Sequence, residues 1–133
     1  MELSEVDRKV IAGIEAAVAE RGEDWRYPHG RVDGEQVAQF WRDPDWVGEG
    51  GSCYNLLPDG SAACIIGFIA VSQGLPTNRV SDAVEDAERW DVSNPIGEAM
   101  SDAQKAQDEG FTWGVARARF YEILAEYGVV VER

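Results

Sequence analysis

Helix start and stop signals are the feature of this sequence that most limits its fold. Ser4 is a helix-capping residue type, and the apolar residues after it recur every three or four positions until Gly22. Thr112 opens a second segment of this kind, whose bulky apolar residues continue to Gly128. Because glycine readily takes the backbone conformation that ends helices, both segments are predicted to be helices with one buried face.

The middle of the chain carries further helical segments. Residues 77–90 and 94–110 show the same apolar period, and the second begins with Asn94-Pro95, a strong helix-start signal. Residues 33–41 have a capping box and predict a short helix. Nearly every residue of 62–72 is apolar, which fits either a buried helix or a buried strand. The length of this run favours a helix.

Two short segments favour strands instead. Cys53–Leu57 is β-compatible and precedes the turn residues Pro58–Ser61, and Val129–Val131 is a run of three β-branched residues. Pairing of the two segments makes a minimal sheet beneath about five helices. The sequence therefore predicts a mostly helical α+β fold in a single domain, residues 1–133.

The net charge restricts the partners. The chain has 25 Asp and Glu against 12 Lys and Arg, a formal charge of −13. Such a field repels phosphate backbones and anionic lipid, which argues against direct nucleic-acid or membrane binding. The N-terminus is acidic and no run approaches the roughly 20 apolar residues of a membrane span, so we expect a cytoplasmic protein with reduced cysteines. Solubility alone is an equally good explanation of the charge.

Cys64 is the strongest single candidate for catalysis. It lies near the start of the predicted buried helix, where the helix dipole stabilises a thiolate. His29 is the only histidine in the chain and so the only imidazole that could take the thiol proton. An inert core thiol is the stronger interpretation, because Ala63 and Ile65 flank Cys64 and free cysteines are among the most buried residues.

Metal and nucleotide sites find little support in the sequence. Cys53, Cys64 and His29 lack the short paired spacing of a zinc site. Asp43-Pro44-Asp45 begins like a calcium loop, but two of the expected oxygen ligands are missing further along. No glycine-rich segment is followed by the residues that hold phosphate. We therefore expect no metal and no cofactor.

Four large aromatic residues lie in the N-terminal half without a regular period: Trp25, Tyr27, Trp41 and Trp46. Packing in the core is the favoured interpretation of such residues. If they are exposed, they are rigid anchors surrounded by acids, which suits a protein-binding surface. They are the candidate partner-binding residues of this chain.

The segment 53–67, together with residues 103–114, resembles small uncharacterised proteins of actinobacteria and their phages. The shared pattern is a Cys and aromatic strand, a glycine turn, a Cys-Ile-Ile-Gly helix start and a Gln-Asp-Gly-Thr-Trp-Gly-like stretch. The residues that belong to this pattern are Cys53, Cys64, Gly67, Gln107, Asp108 and Trp113. The resemblance implies a cytoplasmic accessory protein, with a phage as one source, and it implies no particular activity.

Three functions are compatible with these observations. The charge and the incomplete catalytic sets favour a non-enzymatic, acidic accessory protein that binds a basic host protein surface. The first alternative is a small cysteine-dependent hydrolase or transferase that uses Cys64 with His29. The second is a DNA-mimic inhibitor, in which rows of carboxylates stand in for phosphates. The sequence leaves the oligomeric state open.

Overall fold

The computed structural model describes residues 2–27, 55–56, 60–78 and 81–131, and these residues form five helices. The helices are α1 (Glu5–Arg21), α2 (Ile65–Gln73), α3 (Ala83–Trp90), α4 (Asn94–Asp108) and α5 (Trp113–Glu126). No helix among them is long and apolar enough to cross a membrane. The predicted short helix at 33–41 lies outside the described residues.

Several predicted helix boundaries are confirmed, and two are wrong. Ser4 caps α1 in a complete capping box, and the Thr112 side chain accepts a hydrogen bond from the Val115 amide at the start of α5. Helix α2 begins three residues later than predicted, with Cys64 as its cap. Helix α3 likewise begins only at Ala83, because the side chain of Asp82 caps it.

The predicted α+β fold is wrong, because the described residues contain no strand or sheet. Leu56 forms only an isolated bridge with Ala62, the local pairing of a turn, and the rest of Cys53–Leu57 except Asn55 lies outside the described residues. In the other predicted strand, the Val129 amide donates to the Leu124 carbonyl and thereby completes the end of α5. Val130 is largely exposed. The hydrogen bond of the Val129 amide therefore serves a helix end rather than a sheet.

The core lies where α1 and α2 pack together and α4 packs against α3 and α5. Gly13 lets α1 approach α2 closely, since a Cβ there would lie 2.8 Å from Cγ2 of Ile69. Ile14, Ile66, Met100 and Phe120 are among the fully buried side chains that fill this space. The short helix α3 packs against α4, and a groove lies between the two helices.

Candidate functional site

A groove of about 420 Å³ between α3 and α4 is the most site-like surface feature of the described residues. Its apolar lining comes from Val84 and Ala87 on α3, from Val92 in the connection, and from Gly97 on α4. Val84 is 58% exposed, and Ala87 and Val92 beside it are half-buried. The groove therefore offers apolar surface to solvent.

Acidic residues line the same groove. Glu88, Asp91 and Glu98 contribute to its walls, and all three are exposed. Glu88 and Asp91 also lie at the C-terminal end of α3, where the helix dipole already places partial negative charge. None of the lining residues is basic. The groove thus combines an apolar floor with a negative rim.

Asp91 occupies a backbone position that glycine occupies in three other helices. Helices α2, α4 and α5 end at Gly74, Gly110 and Gly128, all with positive φ. Asp91 has φ 55° and is the one non-glycine residue with positive φ in the described part of the chain. Its amide donates to the Glu88 carbonyl, as in the same Schellman arrangement. An aspartate here is disfavoured both by its Cβ and by the negative end of the helix.

Helix α3 is held in place by a buried polar cluster on its other side, centred on Asp86. The Asp86 carboxylate is fully buried. It accepts hydrogen bonds from Asn55 Nδ2 at 2.7 Å, from Thr77 Oγ1 at 2.8 Å and from Ser81 Oγ at 3.0 Å. Arg89 donates to the same carboxylate and forms an ion pair with it. These bonds tie α3 to the segments on either side of α2.

Burial raises the pKa of Asp86 above its ordinary value. The hydrogen bonds from Thr77, Ser81 and Asn55 and the charge of Arg89 act in the opposite direction, but they do not cancel the loss of hydration. A buried carboxylate with a raised pKa is sometimes an acid catalyst. Here it is enclosed by its donors and does not line the groove, so its geometry is that of a structural cluster.

Cys64, the candidate nucleophile, belongs to the same cluster. Its thiol is fully buried, donates to Asn55 Oδ1 at 3.1 Å and accepts from the Gly67 amide at 3.4 Å. Packing requires a glycine at position 67, because a Cβ there would lie only 1.7 Å from the Asn55 carbonyl oxygen. Cys64 therefore caps α2 and holds Asn55. Its proposed partner His29 lies outside the described residues.

The second half of the resemblance pattern also has a structural role. Gln107 is fully buried, and its Oε1 accepts from the Ile65 amide at 2.8 Å and from Trp113 Nε1 at 3.1 Å. One side chain thereby joins the start of α2 to the start of α5. Asp108 accepts a hydrogen bond from Gln107 Nε2 at 3.1 Å. Cys64, Gly67, Gln107 and Trp113 thus meet around the N-terminus of α2, although they are far apart in sequence, and Cys53 lies outside the described residues.

Two of the four candidate aromatic anchors can be located. Tyr27 is buried, and Trp25 is half-buried with its ring edge-on to Trp113, the centroids 4.4 Å apart. The Arg21 guanidinium lies 4.6 Å from the Trp25 ring and 4.9 Å from the Trp113 ring, an arrangement of cation–π type. Trp41 and Trp46 lie outside the described residues, so the four-anchor surface stays a prediction.

The sequence does not predict the groove, although it carries two weak signals for it. Gly97 interrupts the predicted helix 94–110 near its start, and Asp91 stands where a helix-ending glycine is expected. Neither signal shows that the two residues line one cavity. That depends on the angle at which α3 packs on α4.

No cluster of three or more His, Cys, Asp or Glu suited to a metal ion is present within the described ranges. Comparison with protein-family models, with curated proteins and with solved structures gives no match.

Proposed function

We propose that this chain is a binding module for a protein partner with a basic surface, and that the groove between α3 and α4 is its contact site. The observation that carries the proposal is the combination of exposed apolar lining and acidic rim in one groove. Apolar surface supplies affinity in protein interfaces, and a charged rim supplies steering and partner choice.

The negative charge of this chain favours a positively charged partner. Glu88, Asp91 and Glu98 repel an anionic ligand at short range, and the formal net charge of −13 repels it at longer range. A basic surface gains from both effects. Since the rim is exposed, each ion pair is worth at most about 1 kcal/mol, and screening by salt weakens it. Association is thus expected to slow as salt is added.

The experiment is a titration of the isotope-labelled protein with a soluble lysine-rich peptide, followed by backbone NMR shifts. The largest shifts are expected for groove residues such as Ala87 and Gly97. The affinity should fall with added salt and should be lost for a glutamate-rich peptide of the same length. Shifts spread evenly over the acidic surface, or absent from the groove, would contradict the proposal.

A pair of charge-reversal variants separates local from global charge. The variant Glu88→Lys with Asp91→Lys should weaken peptide binding about tenfold, which corresponds to about 1.4 kcal/mol. The control is Glu20→Lys with Glu122→Lys, at two exposed acids on α1 and α5. It changes the net charge equally but leaves the groove intact. Equal weakening by both variants would mean that only the net charge matters.

A further inference from the structure

The groove contains a glycine that its own fold does not require. Gly97 lies inside α4, where glycine is less favourable than alanine. A Cβ at this position would lie 3.4 Å from the Ala87 Cβ and 3.7 Å from Val92 Cγ2, which are ordinary van der Waals distances. By contrast, a Cβ at Gly67 would overlap a backbone oxygen. The missing side chain at Gly97 therefore deepens the groove without serving the packing of the chain.

Two other residues that are unfavourable for stability line the same groove. Val84 exposes 58% of its surface, and Asp91 adopts a left-handed backbone at the negative end of α3. Residues that lower stability are typical of binding sites, where stability and function compete. Gly97, Val84 and Asp91 lie on different helix turns. Their common feature is that all three line the groove.

We infer that the groove binds a basic amphipathic segment of a partner protein, which places one aliphatic side chain over Gly97 between Val84 and Val92. Lysine or arginine residues next to that side chain then contact Glu88 and Asp91. This inference rests on the proposed function and adds what the partner must contain. A side chain of this kind is the buried anchor that interfaces use for most of their affinity.

A second copy of this chain does not suit the groove. Each copy carries a formal charge of −13, so that two acidic surfaces would meet at an acidic rim. A partner segment with the opposite charge gains from the same rim. Charge complementarity therefore selects a basic partner over self-association.

The test uses two synthetic peptides of equal length and charge, one built from lysine and leucine and one from lysine and alanine. The leucine peptide should bind the wild-type protein at least tenfold more tightly by calorimetry. Gly97→Ala should remove this preference while raising Tm by about 3 to 5 °C, because the added methyl fills the groove and favours the helix. Val84→Ser should also reduce the preference. Ser72→Ala on α2 is the control and should preserve it.

The outcomes distinguish this inference from the proposed function. If both peptides bind equally and both lose affinity in the Glu88→Lys, Asp91→Lys variant, the basic-partner function stands and the anchor over Gly97 is wrong. If Gly97→Ala raises Tm and leaves the leucine preference unchanged, the anchor is also wrong. If neither peptide binds the groove, both proposals fail.

Discussion

Replacing Asp86 with alanine tests whether the buried cluster fixes α3. The substitution removes the acceptor of three side-chain hydrogen bonds and of the Arg89 ion pair. A buried polar group left without a partner costs about 1 to 3 kcal/mol. Asn55 keeps its bond to Thr77, and Arg89 is partly exposed, so the buried Ser81 hydroxyl, which loses its acceptor, accounts for most of the loss. We expect the free energy of unfolding to fall by about 3 kcal/mol.

The measurement is urea denaturation followed by circular dichroism. Glu85→Ala is the matched control, since Glu85 is an exposed acid on the same helix, and it should cost about 0.5 kcal/mol. Asp86→Asn retains the size of the side chain and one acceptor, so its loss should be clearly smaller than that of alanine. A loss below about 1 kcal/mol for Asp86→Ala would refute the view that this cluster holds the helix.

Because the pKa of Asp86 is raised, the contribution of this cluster to the free energy of unfolding depends on pH. Between the ordinary carboxyl value, about 3.9, and the higher value in the fold, the folded state keeps a proton that the unfolded chain has lost. In that window the contribution of Asp86 to stability falls as the pH rises. The difference in unfolding free energy between wild type and Asp86→Asn should therefore shrink with rising pH. A difference that grows instead would mean that Arg89 and the other donors outweigh burial.

Three further predictions follow from the described contacts. Gly67→Ala should lower the free energy of unfolding by about 3 kcal/mol or more, because its Cβ would overlap the Asn55 carbonyl. Gly97→Ala is the same change without a clash, and it should not destabilise the protein in the same urea titration. Asp91→Gly should raise the free energy of unfolding by about 1 kcal/mol and Asp91→Asn should raise it by less, since only glycine removes the Cβ strain. The corresponding rise in Tm checks this order. In the native protein Cys64 should react with iodoacetamide far more slowly than in urea, as followed by peptide mass spectrometry, and rapid native labelling would contradict its burial.

Local signals determined much of the helical structure. The caps at Ser4 and Thr112 depend on one side chain and an amide three residues away, so they can be read without knowledge of the fold. The glycines at 110 and 128 work in the same way, because a left-handed residue ends a helix wherever it lies. These signals are complete within a few residues. The sequence could therefore supply most helix positions.

The apolar periods of the helices were equally readable. The stripe Ile96, Ala99, Met100, Ala103 and Ala106 is fully buried, as the spacing predicted. A period identifies the buried face of a helix but not its partner. It could not show that α3 packs against α4 in a way that leaves Val84 exposed.

Tertiary structure decided the rest. Val129 has the β-branched side chain of a strand, yet its amide serves the end of α5, because a nearby carbonyl was available and no strand partner lies within the described part of the chain. Cys64, Asn55 and Asp86 span 32 positions of sequence and meet in one cluster only after α2 and α3 have packed. The groove exists for the same reason. Val84, Val92 and Gly97 line it together only once α3 has packed on α4, and no local pattern encodes the geometry of that packing.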